Sequence, residues 1–465
     1  MTAQTILPAN SVVSGGYEVA NSARFNDGDS AYMHKTAAGG NRRTFTFSTW
    51  LKRGQLDTNQ QLFNCWSANN ASGFGYIQFV ATESNVIGNR ISLEVSGTQI
   101  LRSQQVLTDP NAWYHLVVAV DTTNDTANNR CRMYLNGTEI TSFAARNNPD
   151  ENFDFAFNQN NIDMYLGSNN YGGTKGNYFD GYLAETVWID GSQLAADSFG
   201  EFDSDSNIWK PIDVSGLTFG DEGFYLDFEN SGALGADVSG ESNNFTVNNL
   251  TAIDQSTDTC TTNYAVLNSL KFSAGTLSNG NLELDSSSAS WKNRYSTIGV
   301  SSGKWFMEFK MGSISADQSG VAIVSDITLD GNSPGSDATR SPAIQYNSLN
   351  IKFVNGTATS SYFSAMSTND IIGIALDMDN GTVQFYRNGS TTGSAIDLSD
   401  AFSTSQYPLF FCGTVYNTRD LQANFGSPSY SESGGETDGN GYGNFANAVP
   451  SGYYALNTKN LAEYG

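Results

Sequence analysis

Few residues in this chain have the types and spacing that catalysis requires. The only histidines are His34 and His115, and His115 lies at the start of an apolar segment, directly after Trp113 and Tyr114. That setting is typical of a structural histidine, not of a general base. The four cysteines are widely spaced and form no Cys-x-x-Cys pair, which argues against a zinc site or a disulfide scaffold. No P-loop glycine pattern occurs either. We therefore predict that the protein is not an enzyme.

A loop that combines aromatic and amide side chains is the best candidate for binding. It spans residues 169–178, where tyrosine rings could stack on a sugar face and asparagine side chains could bond to its hydroxyl groups. The alternative is an ordinary exposed loop. The predicted glycan-binding residues are Asn169, Asn170, Tyr171, Asn177 and Tyr178.

Charge excludes some partners. The 465 residues include 23 basic and 47 acidic side chains, a net charge of −24, and no basic cluster reverses the sign locally. Such a surface repels phosphate backbones, so we expect no nucleic-acid partner. No apolar run approaches the roughly 18 residues of a membrane helix. The first residues lack the basic and apolar regions of a signal peptide, so we expect no membrane insertion and synthesis in a cytoplasm.

The elements that must position these side chains are strands. In 303–311, odd-numbered residues from 305 onward are apolar and Glu308 falls on the opposite face, with Phe306 as the exception. Residues 115–121 and 371–377 are apolar throughout, as central strands are. Six Asn-Gly pairs suit type I′ hairpins, and we find no convincing helix longer than two turns. The predicted fold class is all-β, with two antiparallel β-sandwich (jelly-roll) domains in tandem.

Two pairs of similar segments within the chain indicate the domain organisation. A buried strand followed by a strand that runs into Asn-Gly occurs at 117–137 and again at 374–389. Residues 262–270 also resemble residues 452–461, which predicts a closing segment after each module and a main boundary near residue 268. The predicted parts are an N-terminal docking arm (1–20), a first sandwich with its closing segment (21–268), a second sandwich (269–428), and a flexible excursion with a closing segment (429–465).

Both halves resemble known families. In the first half the segments are 45–52, 113–121, 133–137, 164–168 and 179–188. Their order and spacing resemble the laminin G-like, concanavalin A-type jelly roll. In the second half the segments are 302–309, 370–389, 407–411 and 424–426. They resemble a SPRY domain, and the central block is the most specific of them.

The order of the modules carries a further resemblance. Together with Asn-Tyr-Ala-Val-Leu-Asn at 263–268 and Tyr-Ala-Leu-Asn-Thr-Lys-Asn-Leu at 454–461, it resembles virion proteins of tailed phages. This implies a fibre, appendage or capsid-decoration protein in the virion, assembled in the cytoplasm of the infected bacterium. The implied partners are other virion proteins, identical copies and a host-surface glycan. The alternatives are a phage glycan depolymerase and a free SPRY-type protein-interaction module.

Enzymes of the concanavalin A type imply a test for carboxylates. Their glycosidases place two carboxyl groups about 5–5.5 Å apart, commonly from a Glu-x-Asp-x-(x)-Glu strand. The nearest string here is residues 201–205, whose last carboxylate is one carbon shorter and which lies in an acidic, serine-rich stretch. We interpret this string as a solvated linker.

The laminin G resemblance also implies a metal. Residues 227–244 resemble a segment in which side-chain and backbone oxygens hold Ca²⁺, with Asp237 and Asn243 as the implied ligands. The alternative is an Asx-rich turn that satisfies its own backbone. Apart from a structural Ca²⁺, we expect no cofactor.

The N-terminal arm has an apolar stripe without a core of its own. We expect it to dock on a neighbouring virion subunit by strand addition, and a disordered terminus is the alternative. The assembly residues are Ile6, Leu7, Val12 and Val13. Residues 429–450 are rich in glycine, serine and acidic side chains, which predicts a flexible surface excursion.

Overall fold

The computed structural model describes residues 16–66, 73–82, 88–270, 275–314, 319–325, 327, 333–334, 343–431 and 434–465. It confirms the all-β prediction, with 45% strand, 6% helix and antiparallel sheets. The chain divides into two compact units, which we call the first unit (9–261) and the second unit (262–465). Within the described ranges, no helix has the length and apolarity needed to cross a membrane.

The first unit contains twenty described strands and three single 3₁₀ turns. The strands are β1 (Ser22–Phe25), β2 (Tyr32–Thr36), β3 (Thr44–Arg53), β4 (Gln60–Trp66), β5 (Phe74–Val80), β6 (Arg90–Val95), β7 (Thr98–Ser103), β8 (Trp113–Asp121), β9 (Cys131–Leu135), β10 (Thr138–Glu139), β11 (Phe143–Arg146), β12 (Asp163–Leu166), β13 (Asn169–Tyr171), β14 (Thr174–Gly176), β15 (Gly181–Asp190), β16 (Gly200–Phe202), β17 (Trp209–Pro211), β18 (Phe224–Leu226), β19 (Thr246–Asn248) and β20 (Gln255–Ser256). The 3₁₀ turns are Ala127–Asn129, Ala196–Ser198 and Ala252–Asp254.

Two eight-stranded sheets form the sandwich of the first unit. The front sheet has the order β11-β7-β6-β5-β4-β12-β2-β19, and the back sheet has the order β10-β9-β8-β3-β15-β1-β20, with β18 also paired to β15. Period-two alternation directs one face of each sheet into a shared core, where Phe47 stacks on Phe63 with ring centroids 5.1 Å apart. The hairpin of β13 and β14 is a separate two-stranded ribbon beside β4.

The outer face of the back sheet is covered. Trp50, Val117 and Val187 project from β3, β8 and β15 into a second apolar cluster, which residues such as Phe199 and Trp209 close from outside. The back sheet is therefore buried on both faces. This explains why residues 116–120 are continuously apolar.

The second unit contains twelve described strands and one short helix. The strands are β21 (Thr276–Ser278), β22 (Glu283–Tyr295), β23 (Lys304–Met311), β24 (Ser319–Val324), β25 (Ala343–Asn347), β26 (Ile351–Val354), β27 (Thr357–Thr359), β28 (Ile371–Asp377), β29 (Thr382–Arg387), β30 (Ser390–Asp397), β31 (Phe410–Asn424) and β32 (Tyr454–Ala455). The helix is α1 (Thr458–Tyr464), and 3₁₀ turns occur at Leu398–Asp400 and Thr404–Gln406.

One twelve-stranded sheet organises the second unit. Its main order is β27-β26-β25-β24-β31-β23-β28-β29-β30, with β21, β22 and β32 attached at the side. The predicted Asn-Gly hairpins lie where expected: Asn355 and Asn388 have φ of 44° and 48° and connect β26 to β27 and β29 to β30. Asparagine tolerates this left-handed conformation better than other non-glycine residues.

The two look-alike segments pair with each other within the second unit. Ala265 N donates to Leu456 O at 3.0 Å, and Thr458 N donates to Asn263 O at 3.0 Å. Both segments therefore belong to one unit, whereas the sequence predicted that each closes a separate module. The observed division of the chain lies between residues 261 and 262.

The C-terminal residues 434–465 cover part of the second unit's sheet. We predicted a flexible excursion for 429–450, but Phe445 is fully buried and packs on Phe306 of β23, with ring centroids 5.3 Å apart. Asp438 is likewise buried, and its carboxylate accepts hydrogen bonds from Ala455 N at 2.9 Å and Asn460 Nδ2 at 2.7 Å. The glycine-rich composition therefore serves tight turns that are held by buried polar groups.

Candidate functional site

The outer face of the front sheet carries an open groove of about 400 Å³. This volume lies within the range of about 300–1,000 Å³ that small-molecule sites occupy. Strands β4 to β7 supply its floor, and the β13–β14 hairpin with Asn177 forms one wall. The described lining residues are Asn59, Gln61, Tyr76, Gln78, Val80, Ala81, Glu94, Gln99, Arg102, Asn169, Tyr171 and Asn177.

Two glutamines form the polar centre of this groove. The Gln61 Nε2 donates to the Gln78 Oε1 across β4 and β5. Gln61 is 1% exposed, and its Oε1 has no hydrogen-bond partner in the described structure. A buried carbonyl oxygen without a donor is costly. Almost none of the surface of this oxygen is accessible, so a ligand hydroxyl could reach it only if the Gln61 side chain moved.

Aromatic rings form one side of the groove. Tyr171 is 65% exposed and lies against Trp66 with ring centroids 4.7 Å apart. Trp66 stacks on Phe74, and Phe74 stacks on Tyr76, both at 4.9 Å. Trp66 therefore supports Tyr171, whose side chain stays largely exposed. An exposed tyrosine backed by packed rings can stack on the apolar face of a sugar at little cost in side-chain entropy.

One ion pair closes the other side. Arg102 Nη2 lies 3.4 Å from Glu94 Oε1, and the two side chains are 10% and 13% exposed. Ser92 Oγ donates to the same Glu94 oxygen at 2.9 Å. Burial and the charge of Glu94 raise the pKa of Tyr76, so the Tyr76 hydroxyl stays protonated and can donate.

The predicted glycan loop is divided by the structure. Asn169, Tyr171 and Asn177 line the groove, but Asn170 and Tyr178 do not. Asn170 Nδ2 donates to the Tyr165 hydroxyl at 2.7 Å. Tyr178 lies beside Tyr32, with ring centroids 6.4 Å apart.

The sequence did not identify Gln61 and Gln78 as residues of the site. The signal was present in β5, where Tyr76 and Gln78 alternate with the core residues Ile77 and Phe79. Such alternation shows that a polar face exists. It does not show whether that face is bare or covered, because covering depends on distant segments of the chain.

The implied calcium ligands are occupied by protein groups. Asp237 Oδ1 accepts from Tyr225 N at 2.9 Å, and Asp237 Oδ2 accepts from Asn243 N at 2.7 Å. Asn243 Oδ1 accepts from Lys35 Nζ at 2.7 Å. These contacts favour the turn interpretation of the segment. A cation would have to compete with backbone donors and with an ammonium group.

His115 is a structural side chain in this arrangement. Its Nδ1 accepts from Trp209 Nε1 at 3.0 Å, so the neutral ring carries its proton on Nε2, which lies 2.9 Å from Ser48 Oγ. Burial lowers the pKa of His115 to about 3. The imidazole therefore donates to the serine and cannot remove its proton.

The acidic string at 201–205 contacts residues that are close to it in sequence. Lys210 Nζ lies 3.2 Å from Glu201 Oε1 and 3.3 Å from Asp203 Oδ2. Backbone and side-chain hydrogen bonds from Ser206 lower the pKa of Asp203 to about 2. Residues 200–202 form β16, which pairs with β17 within the first unit, so the predicted solvated linker is wrong. Phe202 packs on Trp209 with ring centroids 4.8 Å apart, and this contact holds the string against the unit.

A carboxylate cluster lies in the second unit. Glu283, Asp285 and Asp420 offer oxygens within 4.8 Å of one another. Burial, followed by the charges of Glu283 and Asp420, raises the pKa of Asp285 to about 6. Asn279 Nδ2 donates to Glu283 Oε2 at 2.6 Å, so part of the cluster is already satisfied by the protein.

The predicted assembly residues Ile6, Leu7, Val12 and Val13 lie outside the described residues.

Family comparisons agree with the two sandwiches. Residues 26–197 match the Laminin_G_3 family, described as the concanavalin A-like lectin/glucanases superfamily. Residues 311–428 match the SPRY domain family. The chain contains a concanavalin A-like domain and a SPRY domain. The groove lies within the residues matched by the concanavalin A-like domain.

Solved structures are similar to one or the other part of the chain. The SPRY domain of human HERC1 is 19% identical over 34% of this chain and 96% of its own, with a TM-score of 0.29. A putative carbohydrate binding protein from Bacteroides ovatus is 15% identical over 51% of this chain and 60% of its own, with a TM-score of 0.36. A native heptameric SAP-like pentraxin from Limulus polyphemus is 13% identical over 39% and 80%, with a TM-score of 0.30. No curated protein matches the chain significantly.

Proposed function

We propose that this protein is a non-enzymatic glycan-binding component of a bacteriophage virion, and that the groove on the front sheet is its binding site. The observation that carries the binding proposal is the juxtaposition in that groove. The carboxamides of Asn169 and Asn177 line the same groove as the exposed ring of Tyr171. The carboxamides supply hydrogen-bonding groups and the ring supplies a stacking platform, the two kinds of contact that a sugar ring requires.

The groove supports binding better than hydrolysis. Among its described lining residues Glu94 is the one carboxylate, and that carboxylate is paired with Arg102. A glycosidase needs a second carboxyl group within reach of the scissile bond. A depolymerase would therefore need acidic groups from elsewhere. Release of reducing sugars from a bound polysaccharide would contradict the non-enzymatic assignment.

The virion assignment is supported by the sequence. Module order and the closing segments at 263–268 and 454–461 resemble tailed-phage virion proteins. In such a particle the chain would contact other virion proteins and identical copies related by rotational symmetry. Many copies would convert weak single sites into firm attachment. Nucleic acid is an unsuitable partner for a chain of net charge −24.

Two experiments test the two halves of this proposal. A glycan array probed with the full chain should bind host-surface glycans, and Tyr171→Ala should abolish that binding. A Tyr171→Ala variant that keeps both the signal and the specificity of the wild-type chain would contradict the groove assignment. Immunogold labelling of purified phage particles should place gold on intact virions. Unlabelled particles, with a capsid control labelled in parallel, would contradict the virion assignment.

A further inference from the structure

We propose that the groove takes an uncharged oligosaccharide and discriminates against glycans that carry uronate or sulfate groups. This inference rests on the proposed glycan-binding function and specifies its ligand class. It follows from the charges and hydrogen-bonding groups that face the groove.

The lining offers no free cation among the described residues. Arg102 is its one basic side chain, and Glu94 lies 3.4 Å from the guanidinium in a largely buried pair. Recognition of a carboxylate or sulfate calls for an uncompensated guanidinium or ammonium group, often in a bidentate arrangement. Here the guanidinium already has a carboxylate partner. A bound anion would approach Glu94 and lose by repulsion what it gained from Arg102.

Lysines near the groove do not change this balance. Lys175 of β14 lies over the ring of Tyr165, with its Nζ 5.0 Å from the ring centroid. Lys175 is not among the groove-lining residues. Over longer distances, the net charge of −24 repels polyanions, an effect that salt screens.

The remaining polar groups are suited to hydroxyls. Six carboxamide side chains line the groove: Asn59, Gln61, Gln78, Gln99, Asn169 and Asn177. A carboxamide both donates and accepts without carrying charge, as a hydroxyl does. Tyr76 adds a donor because its hydroxyl stays protonated. A chain of neutral sugars satisfies these groups without the cost of desolvating an ion.

The test compares charged and neutral forms of the same glycan. Immobilised bacterial surface polysaccharides, neutral and acidic, are probed with the full chain, and each acidic one is also presented after chemical reduction of its carboxyl groups. We expect binding to neutral and carboxyl-reduced forms at least about tenfold tighter than to acidic forms. Raising the salt from about 0.05 to about 0.5 M should change the affinity for neutral forms by less than about twofold.

A charge variant sharpens the result. Glu94→Gln releases Arg102 from its partner, and we expect it to gain at least about fivefold in affinity for the acidic forms at low salt. Glu139→Gln is the matched control, because it makes the same charge change at an ion pair with Arg132 that does not line the groove. That control should leave the preference unchanged.

The outcomes separate the two claims. Wild-type protein that binds acidic forms and loses binding on carboxyl reduction, with binding still abolished by Tyr171→Ala, would overturn the neutral-ligand inference and leave the proposed function standing. Binding that Tyr171→Ala does not alter, or no binding to any form, would overturn the proposed function and this inference with it.

Discussion

The outer face of the front sheet and the corresponding face of β23 in the second unit have the same alternating sequence pattern, but only the first is left open. Both strands β5 and β23 place polar side chains opposite a core-facing row. In the first unit these side chains line an open groove. In the second unit residues 434–465 lie on them and bury Glu308 completely. A polar strand face therefore stays available for a ligand only where another segment of the chain leaves it uncovered.

Glu308 shows how a covered face remains stable. Its carboxylate accepts four hydrogen bonds at 2.8–3.2 Å, from Asn424 Nδ2, Ala446 N, and both the backbone N and Nδ2 of Asn447. Burial raises the pKa of Glu308, and the donors offset part of that cost. Gln61 in the first unit keeps an unsatisfied oxygen instead. A satisfied buried acceptor such as Glu308 holds the structure together, whereas an unsatisfied one such as Gln61 leaves a hydrogen bond to be made by water or by another group.

The largest expected effect comes from removing the Glu308 carboxylate. Glu308→Ala would remove the acceptor of four hydrogen bonds, and hydrogen bonds to charged groups contribute about 1.5–3 kcal/mol each. We expect the second unit to lose more than about 4 kcal/mol of unfolding free energy. Urea unfolding followed by hydrogen-exchange mass spectrometry reports the two units separately. Glu436→Ala, at an exposed acid of the same covering segment, is the control. A loss below about 1 kcal/mol in Glu308→Ala would contradict the account.

The second-largest expected effect is on the pH dependence of the first unit's stability, through Glu185 in the covered back sheet. Burial raises the pKa of Glu185 to about 7 despite hydrogen bonds from Tyr225 and Tyr17. A carboxyl group whose pKa is higher in the folded state favours folding most below its unfolded pKa near 4.5, and this contribution is lost as the pH rises to 7. We expect first-unit stability to fall by on the order of 3 kcal/mol between pH 4.5 and pH 8 relative to Glu185→Gln. Parallel pH dependences of the two proteins would refute this role.

A smaller effect should follow from Tyr171→Ala on the open face. Because the ring is exposed, we expect unchanged stability but a loss of glycan affinity of at least about tenfold, about 1.4 kcal/mol. Phe202 is the matched control: it is 46% exposed, lies in the same unit and does not line the groove. Titration calorimetry with an array-selected oligosaccharide measures both variants. Equal losses in Tyr171→Ala and Phe202→Ala would remove the basis for a specific platform.

The smallest effect is expected at the groove floor. Gln61→Met keeps the side-chain length and removes the amide that holds Gln78 in the groove floor, so glycan affinity should fall about fivefold, on the order of 1 kcal/mol. Gln60→Met is the control, because Gln60 is buried on the same strand with both amide atoms unpartnered and lies outside the groove. That change should leave affinity unaltered. An affinity loss for Gln60→Met that matches the loss for Gln61→Met would show that the effect is indirect.

Local patterns predicted the strands and turns well. Alternation over 303–311 identified β23, and Asn-Gly at 388–389 identified the hairpin of β29 and β30, since both patterns depend on neighbouring residues only. The exception to the alternation, Phe306, is explained by Phe445, which packs on it from more than a hundred residues away. Local sequence cannot reveal that contact. The same limit hid Glu308 as a buried anchor.

The sequence predicted only part of the candidate site. Tyr171 and its neighbouring asparagines form a local aromatic and amide cluster, so their composition alone singled them out. Gln61 and Gln78 belong to different strands and meet only when β4 and β5 pair. Their significance also depends on whether another segment covers them, which is a property of the whole fold, and among the described residues they line an open groove.

Hydrogen–deuterium exchange of the full chain, with and without the oligosaccharide that binds best on the array, would locate the binding site. We expect slower exchange confined to the segments that line the groove, residues 59–66, 74–81, 94–102 and 169–177. Protection confined instead to the second unit, with no change at these residues, would contradict the claim that the open face of the front sheet is the binding site.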